Sequence, residues 1–278
     1  MLVSASKYWG YVTSKVMHMN RFLKEIKRLF IRKHFREINF SYSTLALKEC
    51  WKFLPDIIVG LIRGHTVDMR AVTQFERAVE ASLNVKYAIS FGGGREAFKA
   101  ILLGMGIGKG DEVIVPELTW VATASVVNYV GATPVFVDID TSTLNIDIDD
   151  LKKKINRKSK AILLVHILGN STNMDELLKV KEKNDLILIE DTCESLGTRY
   201  KNRYLGTFGE FSTFSFYTSH QVSCGEGGMI CCKSNKDNEI LNSLRSHGWS
   251  RNMEKKYQNK LSKKFSTNSF NEKFTFYY

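Results

Sequence analysis

Short apolar runs alternate with helical patterns from Asp68 onward. The segment RAVTQFERAVEASLNV carries apolar residues at every third or fourth position, which is the spacing of an amphipathic helix. The runs YAISF, EVIVP, AILLV and LILIE are short and apolar, as expected of strands covered on both faces. Because helical patterns separate these runs, the sequence predicts an α/β fold whose mostly parallel sheet is covered by helices.

Residues suited to binding a ligand stand at the ends of several predicted strands. In parallel sheets, ligands bind beyond the carboxyl ends of the strands. These residues are Gly92, Gly93, Gly94 and Arg95 after YAISF, Trp120 after EVIVP, Asp191, Cys193 and Glu194 after LILIE, and Ser215, Ser219 and His220 with STFSFY. Together they offer a phosphate-binding turn, an aromatic plate, a carboxylate and a base, which is the inventory of a pyridoxal-phosphate site.

Each of these residues also has a structural explanation. A tight strand-to-helix turn favours glycine without any ligand, and a tryptophan can fill a core. Cys193 is interpreted as small buried filling and Glu226 as a residue that fixes its glycine-rich loop. His166 is interpreted as a hydrogen-bonded structural histidine, with the lining of a sugar pocket as the alternative. His247 and Trp249 either border the site or pack elsewhere.

Four blocks between about residues 68 and 250 resemble the DegT/DnrJ/EryC1/StrS family of pyridoxal-phosphate-dependent sugar aminotransferases. They are PELTWVATASVVNYVGATPVFVDIDTSTLNID, HILGNSTNMDEL, IEDTCESLGTRYKNRYLGTFGEFSTFSFYTSHQVSCGEGGM and LRSHGW. The resemblance implies the large domain of the aspartate aminotransferase-like fold, which is fold type I of these enzymes. It also implies a homodimer, and a smaller C-terminal domain that we expect these 278 residues to lack.

The resemblance assigns roles to individual residues. It implies that Trp120 stacks on the cofactor ring, that Asp191 pairs with the pyridine nitrogen, and that Gly94 and Ser215 hold the phosphate. Glu194 and Arg95 complete the expected cofactor site, although the family often has Ser or Thr at the position of Arg95.

His220 stands where the resemblance places the lysine that forms a Schiff base with the cofactor. An imidazole cannot form that lasting linkage, but it can move protons near neutral pH. The same replacement resembles the 3-dehydratases of 3,6-dideoxysugar biosynthesis, such as those acting on GDP-4-keto-6-deoxy-D-mannose. His220 is therefore predicted to be the catalytic acid and base.

The implied activity is dehydration at C3 of a nucleotide-linked 4-keto-6-deoxyhexose, in deoxysugar biosynthesis of the lipopolysaccharide O-antigen type. Pyridoxamine phosphate would be held noncovalently, and glutamate would restore this amine form of the cofactor from pyridoxal phosphate. The alternative is an inactive or truncated pseudoenzyme that has lost its lysine.

Three segments are expected along the chain: a basic amphipathic extension at 1–45, the cofactor-binding large domain at 46–250, and at 251–278 the start of a connection to the absent small domain. Much of the formal charge of +11 lies in the first 37 residues. Their basic helical pattern fits either peripheral contact with an anionic membrane or a solvated or partner-packed extension. No nucleic-acid-binding motif accompanies this charge, so nucleic acid is not expected as a partner.

The five cysteines have neither zinc-site nor disulfide-framework spacing. An α/β chain of this kind is expected in a reducing compartment, here the cytoplasm. No metal site is predicted, and the absence of cysteine from HGWSRNMEKKYQNKLSKKF disfavours the iron–sulfur cluster found in one branch of the family.

Overall fold

The computed structural model describes residues 69–250 and 253–265. The predicted extension at 1–45, residues 46–68 of the predicted large domain, and the last residues of the chain lie outside the described residues. The three predicted segment boundaries therefore remain predictions.

Seven α-helices, one 3-10 turn and eleven strands make up the described part. The helices are α1 (Met69–Leu83), α2 (Gly94–Gly104), α3 (Val121–Tyr129), α4 (Ile148–Lys154), α5 (Met174–Lys183), α6 (Asn235–Arg245) and α7 (Lys255–Phe265), with the 3-10 turn at Ile167–Gly169. The strands are β1 (Tyr87–Phe91), β2 (Glu112–Pro116), β3 (Thr133–Val137), β4 (Ile139–Asp140), β5 (Asn145–Ile146), β6 (Ser159–Val165), β7 (Ile187–Asp191), β8 (Arg199–Tyr200), β9 (Arg203–Tyr204), β10 (Phe211–Ser215) and β11 (Gly228–Cys232).

Seven of the strands form one sheet in the order β1-β11-β10-β7-β6-β2-β3. All neighbours pair in parallel except β11, which runs antiparallel to both β1 and β10. The predicted mostly parallel sheet is confirmed. Strand β11 was not among the predicted elements.

Alternate residues along the central strands enter two separate hydrophobic clusters. On β6, Leu163 and Val165 pack on one face of the sheet, whereas Ile162 and Leu164 pack on the other. Helices α2 and α3 cover the first face, and α4 and α5 cover the second. This double burial explains why the strands read as unbroken apolar runs rather than as alternating patterns. None of the described helices is long and apolar enough to span a bilayer.

The helix starts differ in a way that singles out one edge of the sheet. Helices α4, α5 and α6 begin with Asp147, Asn173 and Ser234, whose side chains accept backbone N–H groups of the first turn. Helices α2 and α3 begin after Gly93 and Trp120 and have no such side-chain bond. Both uncapped starts follow strands whose carboxyl ends lie at the same edge of the sheet.

Candidate active site

A cavity of about 660 Å³ lies at this carboxyl edge. All seven residues predicted to form the site line it, namely Gly94, Arg95, Trp120, Asp191, Glu194, Ser215 and His220. They come from the ends of four strands, β1, β2, β7 and β10, and from the loops that follow. The residues predicted from the strand ends therefore do lie around one cavity, while their roles remain predictions.

The first wall of the cavity is the uncapped start of α2. The first helical backbone bond runs from the N–H of Ala97 to the carbonyl of Gly93 at 3.1 Å. The N–H groups of Gly94, Arg95 and Glu96 therefore have no helix carbonyl to bind. Free N–H groups and the helix dipole favour an anion such as a phosphate at this point.

Close packing fixes the position of this turn. A Cβ on Gly94 would lie 3.4 Å from Sγ of Cys193 and 3.8 Å from Cβ of Ser215. A Cβ on Gly228 of β11 would lie only 2.3 Å from the carbonyl carbon of Gly93. The glycine-rich turn is therefore held against β10 and β11, with the hydroxyl-bearing Ser215 beside it.

Asp191, the last residue of β7, is a buried carboxylate at the cavity. Its Oδ1 accepts the N–H of Cys193 at 3.1 Å. Burial raises the pKa of the Asp191 carboxyl, and no Lys, Arg or His side chain forms an ion pair with it among the described residues. A buried carboxylate without a counter-charge suits a ligand that brings a protonated nitrogen.

Trp120 presents a large apolar plate beside the cavity. It is the residue just before α3, and it is 73% exposed. The alternative that it fills a core is wrong, because a core tryptophan would be largely buried. An exposed indole next to an anion site and a buried carboxylate matches the stacking surface expected for a flat ring.

His220 lines the cavity from the loop between β10 and β11. Its Nδ1 is 2.5 Å from the carbonyl oxygen of Cys193, which only accepts hydrogen bonds, so Nδ1 carries the hydrogen. The adjacent Gln221 donates from Nε2 to the carbonyl of Glu194 at 2.5 Å. These two contacts anchor the loop to the end of β7 and leave the Nε2 lone pair of His220 without a partner among the described residues.

Glu194 performs a task that the sequence did not reveal. Its Oε2 accepts the N–H of Leu168 at 3.1 Å. Leu168 lies in the 3-10 turn after β6 with φ of 49°, a left-handed conformation that is unfavourable for a leucine. The Glu194 carboxylate therefore helps to hold a strained turn whose first residue, Ile167, lines the cavity.

Several other predictions need correction. Cys193 is only partly buried, lines the cavity and supplies the carbonyl that binds His220, so it is more than buried filling. Glu226 is exposed on the cavity lining and has no hydrogen bond to its loop among the described residues. His247 and Trp249 do not line the cavity, which leaves the alternative that they pack elsewhere.

Only one of the two ring nitrogens of His166 has a hydrogen-bond partner among the described residues. His166 is fully buried, and its Nε2 lies 3.0 Å from Oε2 of Glu190, but its Nδ1 has no hydrogen-bond partner among the described residues. The residue also lines the cavity. Sequence reasoning missed Glu190 because an acidic residue inside an apolar strand gives no sign of its partner.

The residues present fit a phosphorylated pyridine. The start of α2 can take the phosphate, Trp120 the ring face, and Asp191 a protonated ring nitrogen. Among residues 69–250 and 253–265, no group of three or more His, Cys, Asp or Glu side chains gathers as a metal site would require.

Comparison with known proteins gives consistent matches. The sequence profile of the DegT/DnrJ/EryC1/StrS aminotransferase family matches residues 61–275. GDP-perosamine synthase of Escherichia coli O157:H7 is 41% identical over 159 residues, which cover 57% of this chain and 44% of that protein. GDP-4-keto-6-deoxy-D-mannose 3-dehydratase of Escherichia coli O55:H7 is 39% identical over 211 residues, which cover 74% of this chain and 54% of that protein.

Solved structures agree with these matches. The E. coli GDP-4-keto-6-deoxy-D-mannose-3-dehydratase with bound hydrated PLP has a TM-score of 0.70 and 35% identity to this chain. The match covers 80% of this chain and 58% of that one. The chain spans about half the length of the curated relatives that it matches.

Proposed function

Because the chain belongs to the DegT/DnrJ/EryC1/StrS aminotransferase family, we propose that it removes the C3 hydroxyl of a nucleotide-linked 4-keto-6-deoxy sugar. The family match and the structural likeness confirm the predicted aspartate aminotransferase-like fold and pyridoxal phosphate as the cofactor. The observation that carries the proposal is His220, an imidazole on the cavity wall at the position expected for the anchoring lysine.

Five residues would hold the cofactor. The N–H groups of Gly94 and Arg95, the Arg95 guanidinium and the Ser215 hydroxyl would bind the phosphate. Trp120 would cover one face of the ring, and Asp191 would accept the ring N–H. Because Arg95 replaces the Ser or Thr common in the family, a charged contact would take the place of a hydroxyl contact.

Pyridoxamine phosphate, when bound, supplies the amine that joins the 4-keto group and a ring that accepts electrons. His220 is oriented for the proton transfers, because its Nδ1–H is tied to the Cys193 carbonyl and its Nε2 keeps a lone pair. Nε2 would accept a proton and return it to the departing C3 hydroxyl, which leaves as water. Without an ε-amine at position 220, the protein has no group there to compete for the cofactor aldehyde.

The overall reaction balances with glutamate as the reductant. Glutamate is oxidised to 2-oxoglutarate, ammonia is released, and C3 of the sugar exchanges its hydroxyl for hydrogen. We propose a GDP-linked sugar, because the two curated relatives described above are named for GDP sugars. A lipopolysaccharide role is proposed as well, since a Salmonella typhimurium relative named lipopolysaccharide biosynthesis protein RfbH is 42% identical over 139 residues.

The test begins with cofactor loading of the full chain. We expect pyridoxamine phosphate to bind in equilibrium dialysis, and borohydride treatment of the pyridoxal-phosphate form to leave no cofactor on the peptide that contains residue 220. With GDP-4-keto-6-deoxy-D-mannose and glutamate, mass spectrometry should detect the 3-deoxy product together with 2-oxoglutarate. Failure to bind either cofactor form would reject the proposal and favour the pseudoenzyme alternative.

Variants at residue 220 isolate the role of the imidazole. His220→Asn should retain cofactor binding and lose dehydration by about 10²–10⁴-fold, the usual contribution of a general acid–base group. His220→Lys should gain a borohydride-reducible attachment at residue 220. His247→Asn, which changes a histidine outside the cavity lining, is the matched control. An unchanged dehydration rate in His220→Asn would remove His220 from the mechanism.

We further propose that a second copy covers the mouth of the cavity. Trp120, which lines the cavity, is 73% exposed, and Leu168, next to the lining residue Ile167, is 80% exposed; large exposed apolar groups mark contact surfaces. Light scattering should give the mass of a dimer for the full chain. A monomer that binds cofactor and is active would exclude this arrangement. Cytoplasmic location and membrane contact through residues 1–37 also remain proposals.

A further inference from the structure

A buried pair of polar side chains lies behind the site and is not used by the proposed reaction. Glu190 and His166 are both fully buried, and Oε2 of Glu190 lies 3.0 Å from Nε2 of His166. Glu190 sits next to Asp191 in β7, and the N–H of His166 binds the backbone carbonyl of Asp191 at 3.1 Å. The pair is therefore fixed to the backbone of the residue whose carboxylate is expected to bind the ring nitrogen.

The contacts of Glu190 determine which nitrogen of His166 carries hydrogen. Its Oε1 accepts the N–H groups of Phe208 and Gly209, both at 2.7 Å, and its Oε2 accepts that of Gly206 at 2.8 Å. Backbone N–H groups only donate, so both oxygens act as acceptors and Nε2 of His166 donates to Oε2. Nδ1 is then left with a lone pair, in a residue that lines the cavity and without a partner among the described residues.

Asp191 has no ion-pair partner among the described residues, and His166 is the basic side chain whose charge acts on its carboxyl. Burial opposes its ionised form, and the adjacent Glu194 opposes it further, whereas a charge on His166 favours it. The other titratable side chains that line the cavity are Arg95, Glu96, Cys193, Glu194, Tyr217, His220 and Glu226. Of the side chains that influence Asp191, His166 alone can carry positive charge.

The charges of Glu190, His166 and Asp191 indicate what binding of the cofactor would change. A protonated ring nitrogen against an ionised Asp191, with a neutral His166 against Glu190, leaves one uncompensated negative charge in the protein interior. A second proton on His166 removes this charge and converts the unpartnered Nδ1 from an acceptor into a donor. Buried charges are tolerated when they are paired and hydrogen-bonded, so the loaded site favours the charged imidazole.

We propose that His166 is a positioning residue that takes a second proton when the cofactor is bound and keeps Asp191 ionised against the ring nitrogen, with Glu190 as its counter-charge. The inference rests on the proposed function only in requiring a pyridine-type cofactor. It adds a relay of Glu190, His166 and Asp191 behind the cofactor.

Nitrogen NMR of the full chain tests the relay without measuring turnover. With ¹⁵N-labelled histidine, the free protein should show His166 with one N–H nitrogen and one lone-pair nitrogen, assigned by its loss in His166→Gln. After saturation with pyridoxamine phosphate, both nitrogens should show N–H shifts. A lone-pair signal that persists at Nδ1 with the cofactor bound would overturn the proposal.

Labelled cofactor gives the second measurement. His166→Gln keeps a donor for Glu190 but cannot carry charge. In this variant the Kd for pyridoxamine phosphate should rise by about tenfold or more, and the ring ¹⁵N shift of the bound cofactor should move towards the unprotonated value. His247→Gln should leave both values unchanged. Unchanged affinity and ring shift in a folded His166→Gln protein would overturn the relay alone. Failure of the wild-type protein to bind either cofactor form would overturn both this inference and the proposed function.

Discussion

Gly228 on β11 offers the sharpest test of how the phosphate turn is positioned. A Cβ at this residue would lie 2.3 Å from the carbonyl carbon of Gly93, 2.4 Å from its oxygen and 2.7 Å from the nitrogen of Gly94. All three are backbone atoms, which cannot move aside as a flexible side chain can. In Gly228→Ala, the turn and β11 must therefore separate by about 1 Å to reach ordinary contact.

The cost of this separation can be estimated from overpacking in other proteins. Forcing one extra carbon into a well-packed site costs about 1–3 kcal/mol of the free energy of unfolding. For a domain of this size each kcal/mol lowers Tm by about 2–4 °C, so we expect a fall of about 2–12 °C. Because the displaced turn carries the free N–H groups of α2, affinity for pyridoxal phosphate should fall more than affinity for pyridoxal, which lacks the phosphate.

Urea unfolding followed by circular dichroism measures the first effect, and equilibrium dialysis with the two ligands measures the second. Gly92→Ala is the matched control for unfolding, because a Cβ there would meet nothing within 4 Å. Its free energy of unfolding should stay within about 0.5 kcal/mol of wild type. If Gly228→Ala is equally neutral and keeps the preference for the phosphorylated ligand, close packing of the turn against β11 does not position the phosphate site.

Three further predictions concern groups that the cavity or the core holds in unusual settings. Burial raises the pKa of the Asp191 carboxyl in the folded protein above its value in the unfolded chain. The contribution of this carboxyl to the free energy of unfolding therefore falls as the pH rises from the ordinary carboxyl pKa to the raised one. Asp191→Asn should therefore make the cofactor-free protein more stable to urea at pH 7 while weakening pyridoxal-phosphate binding; lower stability would contradict this. Trp120→Ala should weaken cofactor binding about tenfold and leave Tm almost unchanged, since the indole is 73% exposed. Burial raises the pKa of Cys232 to about 12, so thiol reagents at pH 8 should modify the exposed Cys224 well before Cys232, as peptide mass mapping can show.

The central sheet could be predicted because its strands are buried on both faces and therefore read as apolar runs. Strand β11 escaped prediction although all five of its residues are buried. Its sequence follows a glycine-rich loop, and nothing local in GMICC shows that it returns antiparallel between β1 and β10. Strand order depends on partners far away in the chain, which a local pattern does not specify.

The site was predictable to the extent that it follows strand ends. The rule that ligands bind at the carboxyl edge of a parallel sheet brought together residues as distant as Gly94 and His220. It could not identify contacts made inside the sheet or through the backbone. The bond from His220 to the Cys193 carbonyl spans 27 residues and involves no side chain of Cys193. The pairing of His166 with Glu190 likewise depends on the register of β6 beside β7.

Three features of the cavity together restrict the chemistry of the ligand that it can bind. Asp191 is a buried carboxylate without an ion-pair partner among the described residues, the start of α2 has no side-chain cap, and Trp120 is an exposed indole. Each of these features is unfavourable alone, and sequences tend to break such rules at functional sites. A phosphate alone would satisfy only the helix, and an unphosphorylated pyridine would leave the helix free. A flat, phosphorylated ring with a protonated nitrogen satisfies all three. If His220 stands in place of the anchoring lysine, as proposed above, the cofactor would be held by noncovalent contacts such as these, and each should then matter more for binding than in a protein that has the lysine.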